Sequence, residues 1–518
     1  MTQISAQGVS RVIPKVIVGE TLVPLAPQIA KHAARRPDKA CITDETTTLS
    51  WGAFGDLVAR VAGRLQGLGV GPGSMVASLA ENSAAHLALY LGVVHAGACM
   101  VPLPFSATPE ALIKMRRDCA ASLLFTSANY RDTADRLGAG TVIDLADLEA
   151  WVGDAAPVPP VEVAEDDLFD MIYSSGTTGT PKGIVHDHRF RMRQFSRTSA
   201  YKLEEDSVLM MSTPLYSNTT LVAVLGCLAR GASLVSMARF DTLRFLDLSE
   251  TYRATHAMLV PVQFMRLMGE PRFDDFDLSA YICKMSTSAP LPGLLIAQVM
   301  KRWPGNIVEF YGMTEGGPST VLDCAAFAEK WDTVGQPSPG VDMRVIDEAG
   351  SELPHGSYGE IVGQSGAMMP GYHNNPDKTR DATWVSPDGG HFIRTGDMGR
   401  FDDEGFLHLL DRKKDIIISG GFNIYAADLE AVLRQHPEVA DVAVIAVPSS
   451  DWGETPLGLV VTRSADCDTE AIREWANAQL GKTQRLSAVE RRNDLPRSEI
   501  GKILKRELRA PYWPGTEK

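Results

Sequence analysis

One short stretch, residues 173–183, places the tightest limit on how this chain can fold. It reads YSSGTTGTPKG and follows a mostly apolar run from Leu168 to Ile172. An apolar run that gives way to residues with little side-chain bulk predicts a strand entering a flexible loop. The loop contains glycines, hydroxyls and one cation, namely Gly176, Gly179, Gly183, Ser174, Ser175, Thr177, Thr178, Thr180 and Lys182. Because glycines let backbone N–H groups turn towards one centre, we predict a phosphate-binding loop.

The Walker A motif, the most familiar phosphate-binding loop, does not fit this stretch. Its pattern G-x-x-x-x-G-K-[ST] cannot be placed between Gly176 and Gly183 in any register, because Pro181 precedes the lysine and Gly183 follows it. An ordinary surface turn rich in glycine and threonine is the other alternative. The whole stretch resembles the phosphate-binding signature of the acyl-adenylate-forming superfamily, which contains acyl-CoA synthetases, adenylation domains and luciferases.

Length and charge restrict the class of protein. At 518 residues the chain exceeds a single ordinary core, so we expect a large body with at least one further domain. Hydrophobic residues at 44% and charged residues at 22% are typical of globular proteins. The formal net charge of -14 disfavours nucleic-acid and anionic-membrane partners, since both present phosphate groups to the protein. A nucleotide site would therefore have to be locally positive.

The cysteines and the apolar runs indicate a cytoplasmic protein. Seven cysteines are scattered along the chain with no C-x-x-C pair, which favours reduced thiols over a disulfide framework or a zinc site. Residues 1–10 lack the basic and apolar segments of a signal peptide. No apolar run is long enough to span a membrane. We therefore expect a soluble cytoplasmic protein, and the sequence leaves a homodimer open as its assembly.

The order of predicted strands and helices indicates the fold class. Short strands alternate with helices over 75–103 and again over 208–309, the pattern of parallel sheets covered by helices. Short strands and Gly-rich turns over 341–372 predict a small β-rich part. Together with the resemblance, this predicts an α/β fold. The resemblance implies a large N-terminal AMP-binding domain (1–411) with two α/β sheet subdomains and the β-rich subdomain, followed by a small mobile α+β C-terminal domain (412–518).

A second motif, Tyr311–Glu315, follows a largely apolar segment. An aromatic ring can stack on a purine, a threonine hydroxyl can bond a phosphate oxygen, and a carboxylate is a ligand type that Mg2+ prefers. Taken alone, the motif is more typical of an ordinary buried turn. By resemblance, Thr314 contacts the α-phosphate of ATP and Glu315 holds magnesium. The resemblance also assigns nucleotide contacts to Tyr311, Gly312, Met313, Ser288, Ala289 and Pro290.

Two single residues take their roles from the motifs around them. Asp397 ends the motif Arg394–Asp397, and an ionised carboxylate can accept hydrogen bonds from both hydroxyls of a ribose. Without the other motifs, a turn aspartate would be the simpler interpretation. Near the C-terminus, Leu495–Lys502 resembles the last motif of the superfamily, whose lysine reaches the carboxylate and the α-phosphate during adenylation. The resemblance therefore makes Asp397 the ribose ligand and Lys502 the cation that holds the developing negative charge.

The charged stretch Asp411–Asp415 would ordinarily be a solvated linker. Together with the residues that follow it, the stretch resembles the hinge of the superfamily and the first strand of its mobile domain. Arg412 matches the residue that meets the ribose and the phosphates, and Lys414 matches the hinge. Gly420 and Gly421 would let the backbone approach the pantetheine arm of coenzyme A.

The acid-binding residues depart from the superfamily pattern at one place. In Pro214–Thr220, Ser217 stands where many members have a histidine, which predicts a smaller pocket wall. The candidate pocket walls are Tyr216, Ser217, Asn218, Val260, Gln263, Ser288, Phe310, Met313 and Gly317. Phe310 and Met313 would serve equally well in core packing. An aryl, a hydroxycinnamic or a medium-length aliphatic acid would each fit.

The motifs together lead to a two-step hypothesis. A carboxylate attacks the α-phosphorus of Mg-ATP to give an acyl-adenylate and pyrophosphate, and a thiol then displaces AMP. Lys182, Thr177 and Thr178 hold the β- and γ-phosphates. Lys502 acts in the first step, and rotation about Lys414 then replaces it with the thiol tunnel. The expected thiol is coenzyme A; the alternatives are a carrier protein, luciferase-like oxygenation and a non-catalytic nucleotide-binding scaffold.

Overall fold

The chain folds into two compact units. The structure, a computed structural model, describes residues 22–138, 140–174, 181–196, 201–412, 415–419, 422–464, 466–481, 484–498 and 501–513. For residues 411, 412, 422 and 423 it describes the backbone alone. The larger unit contains the described residues of Ile13–Asp342 and Gly363–Ile393, and the smaller contains those of Met343–Val362 and Arg394–Lys518.

Strands and helices alternate over most of the chain, which confirms the predicted α/β class. The strands are β1 Ala40–Thr43, β2 Thr48–Ser50, β3 Met75–Leu79, β4 Cys99–Pro102, β5 Leu123–Thr126, β6 Thr141–Asp144, β7 Leu168–Ser174, β8 Lys182–Asp187, β9 Val208–Met211, β10 Ser233–Ser236, β11 His256–Leu259, β12 Cys283–Ser286, β13 Asn306–Gly312, β14 Ser319–Asp323, β15 Gln336–Pro337, β16 Asp342–Ile346, β17 Gly359–Gln364, β18 Thr383–Val385, β19 His391–Phe401, β20 Leu407–Arg412, β21 Ile417–Ser419, β22 Phe422–Ile424, β23 Val439–Ser449, β24 Gly453–Thr462 and β25 Ala488–Arg491. The helices are α1 Leu25–Arg35, α2 Trp51–Gly67, α3 Ala84–His95, α4 Pro109–Cys119, α5 Arg131–Arg136, α6 Leu148–Val152, α7 His188–Ser196, α8 Asn218–Arg230, α9 Thr242–Thr251, α10 Pro261–Gly269, α11 Gly293–Arg302, α12 Pro376–Asp381, α13 Ala426–Leu433, α14 Thr469–Asn477 and α15 Lys505–Arg509.

The first sheet of the larger unit contains the strands on either side of the predicted phosphate-binding loop. Its strand order is β6-β5-β3-β4-β7-β8. Neighbouring strands run parallel as far as β7, whereas β8 returns antiparallel beside β7. Strand β7 is buried along most of its length, as expected for the interior of a sheet covered on both faces. The loop leaves from the carboxyl end of β7, the edge at which open α/β sheets bind their ligands.

The second sheet has the order β15-β14-β13-β12-β11-β9-β10-β1-β2. Its parallel strands β9 to β13 come from the second alternating run, as predicted. Strand β1, near the start of the chain, pairs with β10, and Ile42 lies opposite Leu234. Cys41 and Ile42 are completely buried there. The N-terminal hairpin therefore completes the second sheet, although the first sheet follows it directly in sequence.

The smaller unit combines a β-rich part with an α+β part. Strands β16 and β17 and most of β19 form the β-rich sheet, with β20 beside β19. The α+β part contains a separate sheet with the order β22-β21-β24-β23, and β25 pairs with β24. Helices α13 and α14 share its core through Leu429, Leu433 and Ile472. The predicted β-rich and α+β parts are both present.

Helix starts in the larger unit follow capping signals in the sequence. Ser50 Oγ accepts from Ala53 N at the start of α2, and Ser83 Oγ accepts from His86 N at the start of α3. Such caps satisfy N–H groups that have no partner within the helix. The seven cysteines are all free thiols. Among the described helices, none has both the length and the apolar character needed to cross a membrane.

Candidate active site

Lys182 and Ser174 lie opposite each other where the predicted phosphate-binding loop leaves the sheet. They are cross-strand partners at the ends of β7 and β8. Gly183 follows Lys182 against the side chain of Met171, whose Sδ would lie 2.6 Å from an added Cβ. A larger residue would therefore displace the strand that carries the lysine. The other loop residues assigned by the sequence, Ser175, Gly176, Thr177, Thr178 and Gly179, lie outside the described residues.

Tyr372 links Lys182 to Glu315. The ammonium of Lys182 lies 5.1 Å from the centre of the Tyr372 ring, within cation–π range. The Tyr372 hydroxyl donates to Oε1 of Glu315 at 2.8 Å. Burial, together with the Glu315 carboxylate, raises the pKa of Tyr372 well above its usual range, so the hydroxyl remains a donor. A cation and a carboxylate that are far apart in the chain therefore meet at one ring.

Backbone hydrogen bonds hold Tyr372 in this position. His373 N donates to Gly183 O at 2.8 Å, which ties the segment to the strand of Lys182. Met369 N donates to Glu315 O at 2.9 Å, which ties the same segment to the Tyr311–Glu315 turn. The approach of the two motifs therefore does not depend on side chains alone.

A buried ionic network contacts the backbone of Thr314. Asp170 on β7 accepts from Arg191 on α7, Nε to Oδ2 at 2.9 Å and Nη2 to Oδ1 at 2.8 Å, and also from the Tyr90 hydroxyl. His186 Nε2 donates to the Thr314 carbonyl oxygen at 2.7 Å, while its Nδ1 lies 2.6 Å from Asp170 Oδ1. Burial by itself raises the pKa of Asp170, but Arg191 and His186 hold it well below its usual range. The turn that carries Thr314 thus rests on a charged carboxylate.

Several candidate acid-pocket residues come together at the start of α8. Ser217 is the residue before the helix, and Asn218 is its first residue. Asn218 Oδ1 accepts from Arg191 Nη1 at 2.6 Å. The neighbouring Thr219 Oγ1 lies 2.7 Å from Oγ of Ser288, which has a left-handed backbone with φ +79°. The α8 start and the loop after β12 therefore lie side by side.

The remaining pocket candidates have structural partners of their own. Tyr216 packs edge to face on Phe105, with ring centres 5.0 Å apart. Gln263 Oε1 accepts from Val260 N at 3.1 Å, so its amide serves the start of α10. Phe310 packs edge to face on Tyr201 at 4.7 Å. Gly317 has φ +82°, and an added Cβ would lie 2.6 Å from Gly363 O.

Glu309 anchors the loop Ser288–Pro290. Leu291 N, directly after the loop, donates to Glu309 Oε1 at 2.6 Å. Glu309 is 1% exposed, and its Oε2 has no hydrogen-bond partner among the described residues. Burial raises the pKa of Glu309 to about 8. The carboxyl group is therefore protonated at neutral pH.

The smaller unit contains Asp397, Arg412 and Lys502. Asp397 on β19 lies directly opposite Arg412 on β20. Lys502 stands in a tight turn, in which its N–H donates to Ser498 Oγ at 3.2 Å and Gly501 has φ +75°. The turn thus fixes the backbone that carries the lysine. Lys414, Gly420 and Gly421 lie outside the described residues.

Glu315 is the candidate magnesium ligand, and its surroundings fit that role. Its Oε1 is held by Tyr372, which orients the carboxylate. Within the described ranges, no group of three or more His, Cys, Asp or Glu side chains could hold a metal ion. Magnesium is usually held by one or two carboxylates together with substrate phosphates. A single oriented carboxylate therefore suits an ion whose other ligands come from ATP.

The sequence analysis did not single out Tyr372, Asp170 or Glu309. Asp170 and Glu309 are acidic residues inside runs that are otherwise mostly apolar, Leu168–Ile172 and Ile307–Phe310. A carboxylate in a buried strand needs a partner or a raised pKa, so this was a usable signal. Tyr372 follows Gly371 in the β-rich stretch, and no local pattern connects it to Glu315.

Comparisons with known proteins identify the same family as the motifs do. Residues 29–373 match the AMP-binding enzyme family, and residues 428–502 match the AMP-binding enzyme C-terminal domain. A feruloyl-CoA synthase of Amycolatopsis sp is 33% identical over 486 residues, which cover 93% of this chain and 98% of that protein. A 4-coumarate–CoA ligase 5 of Oryza sativa subsp. japonica is 32% identical over 529 residues, which cover 97% of each protein.

Solved structures share the fold. The crystal structure of ATP-bound MatB from Rhodopseudomonas palustris has a TM-score of 0.85 and 30% identity, over 94% of this chain and 99% of that one. The family match spans more than half of this chain and includes the Lys182, Thr314 and Glu315 motifs. The chain therefore belongs to the AMP-binding enzymes, the acyl-adenylate-forming superfamily.

Proposed function

We propose that the protein ligates a carboxylic acid to coenzyme A while converting ATP to AMP and pyrophosphate. One observation supports this most directly. Lys182 and Glu315, a cation suited to phosphate and a carboxylate suited to magnesium, contact opposite parts of Tyr372. Relatives over nearly the whole chain are named as a feruloyl-CoA synthase and a 4-coumarate–CoA ligase.

The first step joins the acid to AMP. A carboxylate oxygen of the acid attacks the α-phosphorus of ATP, and pyrophosphate leaves as the anhydride bond forms. Lys182, with Thr177 and Thr178, would hold the β- and γ-phosphates, and Lys502 would stabilise the charge that develops at the α-phosphate. Asp397 and Arg412 would bind the ribose. Glu315 would hold Mg2+, which supplies positive charge against the phosphates.

The second step transfers the acyl group to sulfur. The coenzyme A thiolate attacks the acyl carbonyl, and AMP leaves with the electron pair of the broken anhydride bond. Residues 1–411 would form the body, and residues 412–518 would rotate about Lys414 between the two steps. This movement would withdraw Lys502 and bring Gly420 and Gly421 to the thiol.

The proposed acid is an aryl or hydroxycinnamic acid, with a medium-length aliphatic acid as the second class. The names of the two hydroxycinnamate-type relatives favour the first class. Ser217, the residue directly before α8, is small, which suits an acid with a planar ring. We also propose that the protein is a cytoplasmic homodimer. Light scattering on the purified protein measures its mass and so distinguishes a dimer from a monomer.

The test is a pyrophosphate-release assay on the purified protein with Mg-ATP and a panel of acids. We expect at least one aryl or hydroxycinnamic acid to stimulate release and to form a mixed anhydride with AMP. Thioester yield is then compared between coenzyme A and a phosphopantetheinylated carrier protein, with equal thiol concentrations. Failure of every acid to form an adenylate contradicts the proposal, and thioester formation on the carrier alone supports the carrier-loading alternative.

A further inference from the structure

The amide of Asn218 is held in one orientation by Arg191. Arg191 Nη1 lies 2.6 Å from Asn218 Oδ1. A guanidinium has only donors, so the asparagine must present its oxygen and not its nitrogen to Arg191. This contact fixes which end of the amide faces the protein interior.

Arg191 is itself held rigidly. It is completely buried and forms a bidentate pair with Asp170, with Nε to Oδ2 at 2.9 Å and Nη2 to Oδ1 at 2.8 Å. Gln194 Oε1 accepts from the same Nη1 as Asn218, at 2.6 Å. Charge-assisted bidentate pairs restrict geometry as well as supplying energy. The orientation of the Asn218 amide therefore depends on a fixed ion pair and not on a mobile side chain.

The N–H2 group of Asn218 is left facing away from this ion pair. Among the described residues, none accepts a hydrogen bond from Asn218 Nδ2, and the side chain is only half-buried. The adjacent Thr219 contacts Ser288, the second residue of the loop after β12. The donor therefore lies at the junction of α8 and that loop, where the sequence places the acid pocket.

From this geometry we infer that Arg191 is a specificity-positioning residue, which holds the Asn218 N–H2 group as a donor that selects acids with an oxygen acceptor on their tail. The inference rests on the proposed function, since it concerns the acid of the adenylation step. It narrows the acid class to tails that contain an ether, methoxy, hydroxyl or carbonyl oxygen. A tail without such an oxygen would leave the donor unpaired on burial.

The test compares acids of the same shape with and without the acceptor. Methoxycinnamates substituted at each ring position are paired with the matching ethylcinnamates, and methoxyhexanoate is paired with octanoate. For each pair, kcat and KM are measured by acid-dependent ATP–pyrophosphate exchange. We expect the wild-type enzyme to prefer the methoxy member of at least one pair by roughly tenfold in kcat/KM, the effect of one hydrogen bond.

Two variants separate positioning from simple structural support. Asn218→Leu removes the donor, and Asp170→Asn/Arg191→Leu removes the ion pair without leaving one buried charge alone. Each is expected to raise KM for the preferred methoxy acid about tenfold more than KM for its alkyl partner, because only the methoxy oxygen can accept from the Asn218 donor. The Thr314 turn rests on the same ion pair, so the readout is the ratio of kcat/KM within a pair, which a general effect on that turn would leave unchanged. Combining both changes should add nothing further, since they remove the same contact.

Three results would overturn the inference. These are a wild-type enzyme without preference in any pair, an ion-pair variant that loses rate equally on both members, or losses that add in the combined variant. If the ion-pair variant does not fold, the wild-type ratios and Asn218→Leu decide the question. If none of the acids supports pyrophosphate exchange by the wild-type enzyme, the proposed function itself is contradicted. That failure is distinct from a loss of selectivity, in which exchange occurs equally with both members of a pair.

Discussion

Tyr372 serves the site through two different groups, its ring and its hydroxyl. The ring faces Lys182, and the hydroxyl orients Glu315. Tyr372→Phe keeps the ring and removes the hydroxyl donor. We expect the magnesium concentration for half-maximal pyrophosphate exchange to rise, and kcat/KM for ATP to fall by roughly tenfold, because one hydrogen bond to a charged group is lost.

The measurement is a magnesium titration of the exchange rate at fixed acid. Tyr252→Phe is the matched control, because that tyrosine is 39% exposed and lies on the surface after α9. Unchanged magnesium dependence in Tyr372→Phe would show that Glu315 does not need this donor.

Glu309 makes stability depend on pH. Burial raises its pKa to about 8 in the folded protein, above the ordinary value of 4.5. The folded state then binds the proton more tightly, so its stabilising contribution is full below the ordinary pKa and is lost as pH rises through about 8. We expect the free energy of unfolding to fall by a few kcal/mol, at about 1.4 kcal/mol per pKa unit, as pH rises over this range.

Glu309→Gln keeps the acceptor for Leu291 N and cannot ionise, so it should remove this part of the slope. Urea denaturation at several pH values measures the effect. Glu329→Gln, at an exposed position, is the control. An equal pH slope in wild type and Glu309→Gln would rule out titration of Glu309 in this range.

At the scale of elements, the turn between α11 and β13 is held by a buried lysine from β12. Lys284 Nζ donates to the carbonyl oxygens of Trp303, Pro304 and Gly305 at 3.0, 2.6 and 2.6 Å. Burial lowers the pKa of Lys284 to about 7, and the three carbonyl groups can accept the three protons of its ammonium form. The lysine therefore replaces backbone hydrogen bonds that the turn cannot make by itself.

Lys284→Met leaves those carbonyl groups without a donor while keeping a similar side-chain length. We expect a loss of about 2–4 kcal/mol in the free energy of unfolding, the range for unsatisfied buried polar groups. Thermal and urea denaturation measure it, with the exposed Lys301→Met on α11 as the control. A loss equal to that of the control would mean that water replaces the lysine.

At the scale of the whole molecule, the proposal separates two half-reactions between two parts of the chain. Lys502 belongs to the smaller unit, and Lys182 and Glu315 belong to the larger. We expect Lys502→Ala to lower acid-dependent pyrophosphate exchange by roughly a thousandfold, since a cation at the developing charge is lost, while ATP still binds. The same variant should convert preformed acyl-adenylate and coenzyme A to thioester at close to the wild-type rate.

The exposed Arg506→Ala, in the helix that follows Lys502, controls for general effects on this region. Rapid-quench assays of each half-reaction give the two rates separately. Retained exchange in Lys502→Ala would remove this lysine from the first step. Equal loss in both half-reactions would argue against a movement that withdraws it.

Sequence reasoning is confirmed for the superfamily and for the α/β class. Both depend on neighbouring residues, whose spacing and backbone freedom can be read directly from the sequence. Sequence reasoning was weaker where pairing is distant. The place of β1 beside β10 follows from burial of Ile42 against a strand nearly two hundred positions later, which no local pattern indicates.

The sequence by itself determined the superfamily, the α/β class and the order of the motifs, because these reside in local spacing. Only the tertiary structure decided which residues meet: Tyr372 with Lys182 and Glu315, and Asp170 with Arg191 and, through it, Asn218. The reason is physical. Packing brings distant segments together and removes water, and a buried charge or donor must then find a partner wherever the fold places one.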